Sequence, residues 1–273
     1  MIIIRALVAA IHVGPTAAVT VLAALLAVAM SVPWSTGIVV VLAVFLNQVS
    51  VGLSNDALDA PRDLQAGRWD KPIAQGVLPP GVAWSVAGGA ALASVILSLL
   101  IHPLVGLWQG VFLLAGWAYN LGLKATLWSG VCYALGFGAL PVLVGYASPS
   151  AEFPGWWVVF VAASLGLSAH FANVLPDLAV DREQGVRGLP QRIGRDGVPG
   201  ALVGLTLASA VALLVGAGFE SLPYTAPAAV IATGLSVVGA LRSRMFQPGA
   251  LPFRLSMAAA LVMALALALG LVL

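Results

Sequence analysis

Charged residues are scarce in this chain, and their scarcity limits the kind of protein it can be. Only 8% of the 273 residues are charged, whereas 61% are hydrophobic. A soluble domain carries about 25% charged residues, so a water-soluble fold of this composition would have no means of covering its surface. Long uncharged stretches are instead typical of helices that cross a lipid bilayer. The composition therefore predicts an all-α integral membrane protein.

Cysteine is almost absent as well. Cys132 is the single cysteine of the sequence and lies within an apolar stretch. One cysteine excludes an intrachain disulfide, and a metal site built from thiolates is not expected. The sequence also contains no P-loop, dinucleotide-binding fingerprint or nucleophile elbow, and no nucleic-acid partner is expected.

Apolar segments near 20 residues long recur along the whole chain. Each is long enough to cross about 30 Å of hydrocarbon as a helix, the structure that satisfies backbone polar groups in lipid. The pattern predicts nine transmembrane helices in a single domain over residues 1–273, with no appended soluble domain. The spans are expected at 9–31, 36–56, 81–101, 103–122, 128–147, 155–176, 198–218, 223–241 and 251–272.

The twelve lysine and arginine residues all fall on one side of this nine-span topology. They belong to the N-terminal segment and to the loops after every second span. Because cytoplasmic loops collect these residues, this side is predicted to be cytoplasmic. A basic inner side without an organelle-type presequence is typical of a protein of the bacterial plasma membrane.

Acidic residues are concentrated in two places on that same side. Eight of the ten aspartate and glutamate residues lie within 56–70 and 177–196. The spacing N-x-x-x-D-x-x-x-D occurs twice, with the second copy 118 residues after the first (173 − 55). Residues four apart share a helix face, so each copy predicts a polar stripe. The stripes are Asn55, Asp59 and Asp63, with Asp56 beside them, and Asn173, Asp177 and Asp181.

Carboxylates gathered at the ends of membrane helices are costly unless they face a polar interior or bind a cation. Mg²⁺ prefers oxygen ligands and binds through a few carboxylates together with substrate phosphates. Two acidic stripes facing each other across a diphosphate fit that chemistry. Pro61 and Pro176 fall within the motifs and are expected to disturb their helical geometry. Ordinary loop salt bridges with the neighbouring basic residues are the alternative explanation.

These motifs together resemble the UbiA-type intramembrane prenyltransferases over essentially the whole chain. The two acidic motifs carry the resemblance, and the second is followed by Gly185 and by Leu189-Pro190…Ile193-Gly194. The loop Asp70-Lys71-Pro72-Ile73-Ala74-x-Gly76 is similar to the family's Arg-Pro…Gly loop, with lysine in the arginine position. Tyr119 and Lys124 match the family's Tyr…Lys segment.

The resemblance implies a helical bundle around a central cavity that opens to the cytoplasmic side. It implies that Mg²⁺ and an isoprenyl diphosphate bind there, in a site surrounded by membrane lipid, and that an electron-rich, usually aromatic acceptor takes the prenyl group. The implied metal ligands are Asp56, Asp59, Asp63, Asp177 and Asp181. The last four of these, with Lys124 and Tyr119, are the implied catalytic residues. Substrate contacts are implied for Asn55, Asn173, Lys71, Arg192 and Lys124.

Other functions remain open at this point. UbiA-type terpene cyclases use the same motifs without an acceptor, and other members prenylate a non-aromatic acceptor such as a sugar phosphate. A cation-coupled transporter also carries intramembrane acids, although near the bilayer midplane. His170 shares a helix face with Asn173 and is either a proton acceptor or a hydrogen-bonding residue of the bundle. His12 and His102 are expected at the membrane interface.

Overall fold

A computed structural model describes residues 2–68, 70–175, 178, 186–245 and 250–272. Within these ranges the chain is helical, with short 3₁₀ turns at Leu123–Ala125 and Phe219–Ser221. The all-α class is therefore confirmed. The helices are α1 (Ile2–Ala10), α2 (Val13–Ala29), α3 (Trp34–Gln65), α4 (Pro80–Ile101), α5 (Pro103–Asn120), α6 (Ser129–Ala147), α7 (Trp156–Val174), α8 (Leu189–Gly216), α9 (Leu222–Met245) and α10 (Ala250–Val272).

The structure does not confirm the expected count of nine membrane-spanning helices. In the described part of the chain, seven helices are long and apolar enough to cross a membrane, or eight if the bent pair α1–α2 is one span. The predicted span 103–122 corresponds to α5, a helix of 18 residues that is not among those seven. The count of nine and the central cavity therefore stay predictions.

The helix α3 carries the first acidic motif and is longer than the predicted span 36–56. Its 32 residues extend over about 48 Å at 1.5 Å per residue, more than about 30 Å of hydrocarbon requires. Pro61 lies inside the helix and does not end it. Proline removes one backbone hydrogen bond, but this loss falls in the last two turns. The disturbance expected at Pro61 does not occur, and Asn55–Asp63 stays on one continuous helix.

A Schellman motif ends α3 directly after the acidic stripe. The Arg68 N–H donates to Asp63 O at 3.0 Å, and the Gly67 N–H donates to Leu64 O at 3.2 Å. Gly67 has a φ of 65°, a left-handed conformation that glycine adopts without steric cost. The stripe is therefore followed at once by a sharp change in chain direction.

The predicted span 9–31 corresponds mainly to α2, and α1 precedes it at a bend of 65°. Pro15 has no N–H, and its ring prevents the carbonyl of Ile11 from continuing the helical ladder. Ile11 O instead accepts a hydrogen bond from Thr16 Oγ1 at 2.7 Å. His12 adopts the left-handed conformation with φ 53° and ψ 64°, which turns the chain into α2.

The helix α8 also begins earlier than expected. It covers Leu189–Gly216, whereas the predicted span was 198–218. Gly194 is non-helical, with φ 76° and ψ 174°, so the helix is divided at that residue. The segment before Gly194 precedes the predicted span.

The chain divides into two compact units, Met1–Leu121 with Leu143–Glu152, and Gly122–Val142 with Phe153–Leu273. In the first unit, α3 packs against α1, α2, α4 and α5. In the second unit, α7 packs against α8 and α10, and α9 also packs against these two helices.

Candidate active site

The first acidic motif lies on the face of α3 that packs into the first unit. Asp56 is 2% exposed and Asp63 is 6% exposed, whereas Asn55 and Asp59 are half-buried. Ionised carboxylates are rarely buried without a partner, because leaving water is costly for a charge. The hydrogen bonds and charges around each residue therefore indicate what the stripe can bind.

Asn55 is oriented by Asn120, the last residue of α5. Asn120 Nδ2 donates to the Val51 carbonyl and to Ser54 Oγ, each at 2.9 Å. Because a backbone carbonyl can only accept, this contact identifies the amide nitrogen and turns Asn120 Oδ1 toward Asn55. Asn55 Nδ2 donates to that oxygen at 3.1 Å. The carbonyl oxygen of Asn55 is thereby left to accept a hydrogen bond or to bind a cation.

Asp56 is held by two residues from other parts of the first unit. Its Oδ1 atom lies 2.6 Å from Lys71 Nζ and 2.7 Å from His12 Nε2. The Oδ2 atom is buried and has no hydrogen-bond partner within the described residues. Protein groups therefore hold Asp56 through its Oδ1 atom.

Asp59 and Asp63 follow Asn55 on the same face of α3, at successive turns of the helix. Asp59 Oδ2 lies 3.6 Å from Arg62 Nη2, a long ion pair with a half-exposed arginine. Exposed pairs of this kind contribute about 0–1 kcal/mol. Among the residues that the structure describes, the Asp63 carboxylate forms no ion pair, although Lys71 and the neighbouring arginines act on it electrostatically. Both carboxylates offer oxygen donors on the same face of α3, one helical turn apart.

The loop after α3 is anchored by its own apolar residues. Ile73 and Leu78 are 4% and 0% exposed and pack in a cluster with residues of α1, α3 and α4. Arg68 forms a two-pronged ion pair with Asp70, at 3.0 and 2.9 Å. Hydrogen bonding from this guanidinium lowers the pKa of Asp70 to about 2. The Arg68–Asp70 pair is an ordinary surface salt bridge, which is the alternative explanation for the acidic residues. Lys71 instead contacts Asp56 of the first acidic motif.

The second unit holds a separate set of the predicted residues. Lys124 lies half-buried in the 3₁₀ turn Leu123–Ala125, and a Cβ at Gly188 would lie 2.6 Å from its carbonyl oxygen. Arg192 is exposed and its Nε donates to Arg187 O at 3.0 Å. Asn173 is exposed in the last turn of α7. The structure thus brings the Lys124 turn against the start of α8.

His170 is buried in α7, and its contacts fit the hydrogen-bonding alternative. Its Nε2 atom lies 3.1 Å from Ser129 Oγ, which accepts the Leu189 N–H at 3.0 Å. Its ring stacks on Tyr133 with 4.6 Å between the ring centroids. These contacts tie α6, α7 and α8 together within the second unit. A role for His170 as a proton acceptor stays a prediction.

Asp177 and Asp181, the acids of the second motif, lie outside the described residues, and so does Pro176. Within the described ranges, no three His, Cys, Asp or Glu side chains are arranged to hold a metal ion. The first motif nevertheless offers the hard oxygen donors that Mg²⁺ prefers, in Asp59, Asp63 and the Asn55 carbonyl. The donor chemistry fits Mg²⁺, which commonly completes its coordination with substrate phosphates and water.

Two residues of this site were missed by sequence reasoning. His12 was expected at the membrane interface, and Asn120 was given no role although it directly follows Tyr119, which is half-buried at the end of α5. One signal was available for Asn120, because it is one of only four asparagines and two of the others belong to the motifs. His12 lies 44 residues from Asp56 and carried no comparable signal.

The sequence profile of the UbiA prenyltransferase family matches residues 16–257. The chain belongs to this family. Its apolar helices and its membership of this family show that the protein is an integral, multi-pass membrane protein.

Two curated relatives match part of the UbiA chain. One is the bacteriochlorophyll synthase 33 kDa chain of Cereibacter sphaeroides, 36% identical over 136 residues, which are 46% of this chain and 44% of the relative. The other is the decaprenyl-phosphate phosphoribosyltransferase of Mycolicibacterium smegmatis, 27% identical over 114 residues, which are 41% of this chain and 36% of the relative. The chain thus spans less than half of each relative.

Solved structures of the family share the fold over nearly the whole chain. A UbiA homologue from Aeropyrum pernix K1, in its apo form, has a TM-score of 0.75 at 14% identity and covers 93% of this chain and 97% of its own. A UbiA homologue from Archaeoglobus fulgidus bound to DMAPP and Mg²⁺ has a TM-score of 0.69 at 15% identity, with coverage of 98% and 99%. At these identities the likeness extends to the fold alone.

Proposed function

We propose that this UbiA-family protein is a Mg²⁺-dependent intramembrane prenyltransferase that moves an isoprenyl group from a prenyl diphosphate to an aromatic acceptor. The observation that carries the proposal is the continuity of α3 through Asp63, which keeps Asn55, Asp59 and Asp63 on one helix face. Family membership and the Mg²⁺ and DMAPP bound by the Archaeoglobus homologue support the same chemistry.

The residues of the first motif are proposed to bind the diphosphate through Mg²⁺. Asp59 and Asp63 would hold Mg²⁺ with the oriented carbonyl of Asn55, because these three side chains offer oxygen donors on one face of α3. Asp177 and Asp181 are proposed as the remaining carboxylate ligands. A bound Mg²⁺ supplies charge stabilisation to the departing diphosphate oxygen. Lys71 adds a further positive charge at the end of α3.

The proposed transfer breaks the allylic C–O bond of the donor, and its electron pair leaves with the diphosphate. The acceptor ring supplies the electron pair of the new C–C bond and afterwards loses a proton. Lys124 and Arg192 are proposed to contact the diphosphate, and Tyr119 to steady the cationic carbon. Asn173 is proposed to orient the second motif as Asn55 does the first. The basic side of the molecule, which carries these groups, is proposed to be cytoplasmic.

The acceptor is proposed to be aromatic on the strength of the motif resemblance. A terpene cyclase, which needs no acceptor, and an enzyme acting on a sugar phosphate use the same carboxylates and are the competing outcomes of the test. The names of the two curated relatives point to different chemistry, a bacteriochlorophyll synthase and a phosphoribosyltransferase. The acceptor panel described below therefore includes compounds of both classes.

The deciding experiment measures release of inorganic diphosphate by the purified protein in detergent. Geranyl, farnesyl and geranylgeranyl diphosphates are each supplied with Mg²⁺, with and without hydroxybenzoate, a bacteriochlorophyll precursor or a phosphorylated sugar. Acceptor-dependent release with a matching prenylated product by mass spectrometry is expected, and excess EDTA is expected to abolish it. Release without acceptor would establish a cyclase, and undiminished turnover in EDTA would refute the metal requirement.

Replacing Asp59 tests the role assigned to the motif. Asp59→Ala is expected to reduce turnover by at least about a hundredfold, because a metal-binding carboxylate is lost. The variant is expected to remain folded in detergent, and its thermal unfolding checks that lost turnover is not lost structure. Asp70→Ala is the matched control, since Asp70 pairs only with the surface residue Arg68 among the described residues. Equal activity of both variants would contradict the assignment.

A further inference from the structure

Three separate segments of the first unit converge on a single buried oxygen atom. Asp56 Oδ1, on α3, lies 2.6 Å from Lys71 Nζ in the following loop. It lies 2.7 Å from Nε2 of His12, at the break between α1 and α2. The two donor nitrogens are 3.3 Å apart. Asp56 and Lys71 belong to motifs of the sequence, but no motif indicated His12, and the binding of the metal and the substrate does not account for it.

The chemistry of the contacts determines the direction of the hydrogen bonds. An ionised carboxylate can only accept, so the 2.7 Å contact requires that His12 Nε2 carries the hydrogen and donates it. The Lys71 ammonium donates to the same oxygen. Both lone pairs of Oδ1 are then used, and this oxygen is not available to a metal ion.

The backbone of the α1–α2 break is fitted to this arrangement. Gly52 lies one turn before Asp56 on the same face of α3, and a Cβ there would be 2.8 Å from the carbonyl oxygen of Ile11. Only glycine allows the break to approach α3 this closely. His12 is held in a left-handed conformation, which is unfavourable for a non-glycine residue and persists only where its surroundings enforce it.

The charge that these contacts hold in place is the Lys71 ammonium. Lysine carries its charge on a flexible four-carbon stem, so an unrestrained ammonium would lose conformational entropy on meeting an anion. The Lys71 side chain is only 16% exposed, and its charge acts on Asp63 as well as on Asp56. An ammonium already fixed near both acids would meet a diphosphate without that loss.

We propose that His12 is a positioning residue for the diphosphate site, acting through Lys71. By sharing Asp56 Oδ1 with Lys71, it holds the ammonium at the end of α3 and fastens the α1–α2 break to the site. The Oδ1 atom of Asp56 is the anchor of this cluster. The inference rests on the proposed function, since it takes a diphosphate as the ligand.

The test measures binding, not turnover, with inorganic diphosphate and Mg²⁺ as the probe and calorimetry in detergent as the method. His12→Leu is expected to weaken diphosphate binding about tenfold, as the loss of one hydrogen bond to a charged group predicts. His12→Gln keeps an N–H donor and is expected to retain most of the affinity. His102→Leu is the matched histidine control, because His102 lies at the α4–α5 junction and accepts its hydrogen bond from Leu104 N.

A double-mutant cycle separates positioning from a general loss of structure. In a Lys71→Met background, the additional His12→Leu substitution is expected to weaken diphosphate binding by less than about twofold, since the ammonium that His12 positions is absent. Hydrogen exchange at residues 11–16 is expected to rise in His12→Leu and to stay unchanged in His102→Leu.

Each result of the cycle decides the inference. A full tenfold loss from His12→Leu in the Lys71→Met background would overturn it, because His12 would then act independently of Lys71. Unchanged affinity of the single His12→Leu variant would overturn it as well, while leaving the proposed function intact. A failure of the unmodified protein to bind diphosphate with Mg²⁺ would contradict the proposed function itself.

Discussion

At the scale of single residues, the site is organised by buried amides as much as by acids. Asn120 Nδ2 donates hydrogen bonds to the Val51 carbonyl and to Ser54 Oγ. Asn120 Oδ1 accepts a hydrogen bond from Asn55 Nδ2, so Asn120 fixes the orientation of the Asn55 side chain. Removing one partner of a buried hydrogen bond leaves the other partner without water or protein to bind. Asn120 is therefore expected to affect both stability and ligand binding.

Asn120→Leu is expected to lower the free energy of unfolding by about 1–3 kcal/mol and to weaken Mg²⁺-dependent diphosphate binding, because Asn55 is no longer oriented. Thermal unfolding in detergent and calorimetry measure the two effects. Gln109→Leu is the matched control on the same helix, since Gln109 is a buried amide with one long hydrogen bond, 3.5 Å to Ala43 O. The prediction fails if both variants bind diphosphate as the unmodified protein does.

At the scale of elements, the site depends on where helices break. The helix α3 continues through Pro61, so the polar stripe of the first motif stays regular. The chain before Pro15 instead bends by 65°, and this bend places His12 against Asp56. The difference is one of position. Pro61 lies in the final turns of its helix, where one lost backbone bond is tolerated, whereas Pro15 lies where Ile11 O has the alternative donor Thr16 Oγ1.

The close approach of Gly52 to the break makes an element-scale prediction. Gly52→Ala is expected to displace the Ile11 carbonyl, because a Cβ would lie 2.8 Å from it, and to cost about 1–3 kcal/mol of stability as overpacking does. Lower diphosphate affinity is expected to accompany this loss. Gly88→Ala on α4, where a Cβ meets nothing within 4 Å, is the control. Thermal midpoints that fall equally in both variants would contradict the explanation.

At the scale of the whole molecule, the distribution of charge predicts the orientation in the membrane. All twelve basic residues fall on one side of the predicted topology, whereas Glu152 and Glu220 fall on the other. Cytoplasmic loops retain basic residues during insertion, so the acidic motifs are expected to face the cytoplasm. Glu152 and Glu220 are exposed, so cysteines placed at these two positions can be labelled chemically.

Cysteine labelling in intact cells tests this orientation. In a Cys132→Ala background, Glu152→Cys and Glu220→Cys are expected to react with a membrane-impermeant maleimide added outside. Arg62→Cys and Arg187→Cys, also at exposed positions, are expected to react only after the cells are permeabilised. Labelling of Arg187→Cys in intact cells would reverse the predicted topology.

The sequence by itself determined the features that depend on local pattern. The scarcity of charge required membrane helices, since each must satisfy its own backbone in lipid, and the four-residue spacing placed Asn55, Asp59 and Asp63 on one face. Most predicted spans agree closely with helices of the structure, because hydropathy reports the length of an apolar segment directly. The acids of the second motif, Asp177 and Asp181, stay a prediction.

Only the tertiary structure decided which partners these residues have. His12 meets Asp56 across 44 residues of sequence and Asn55 meets Asn120 across 65, distances over which no periodicity connects one residue to another. The structure also gave Asp56 two partners at its Oδ1 atom, His12 and Lys71, which its position in the motif does not predict. The reason is physical, because an acid's availability to a ligand depends on the groups that packing places around it.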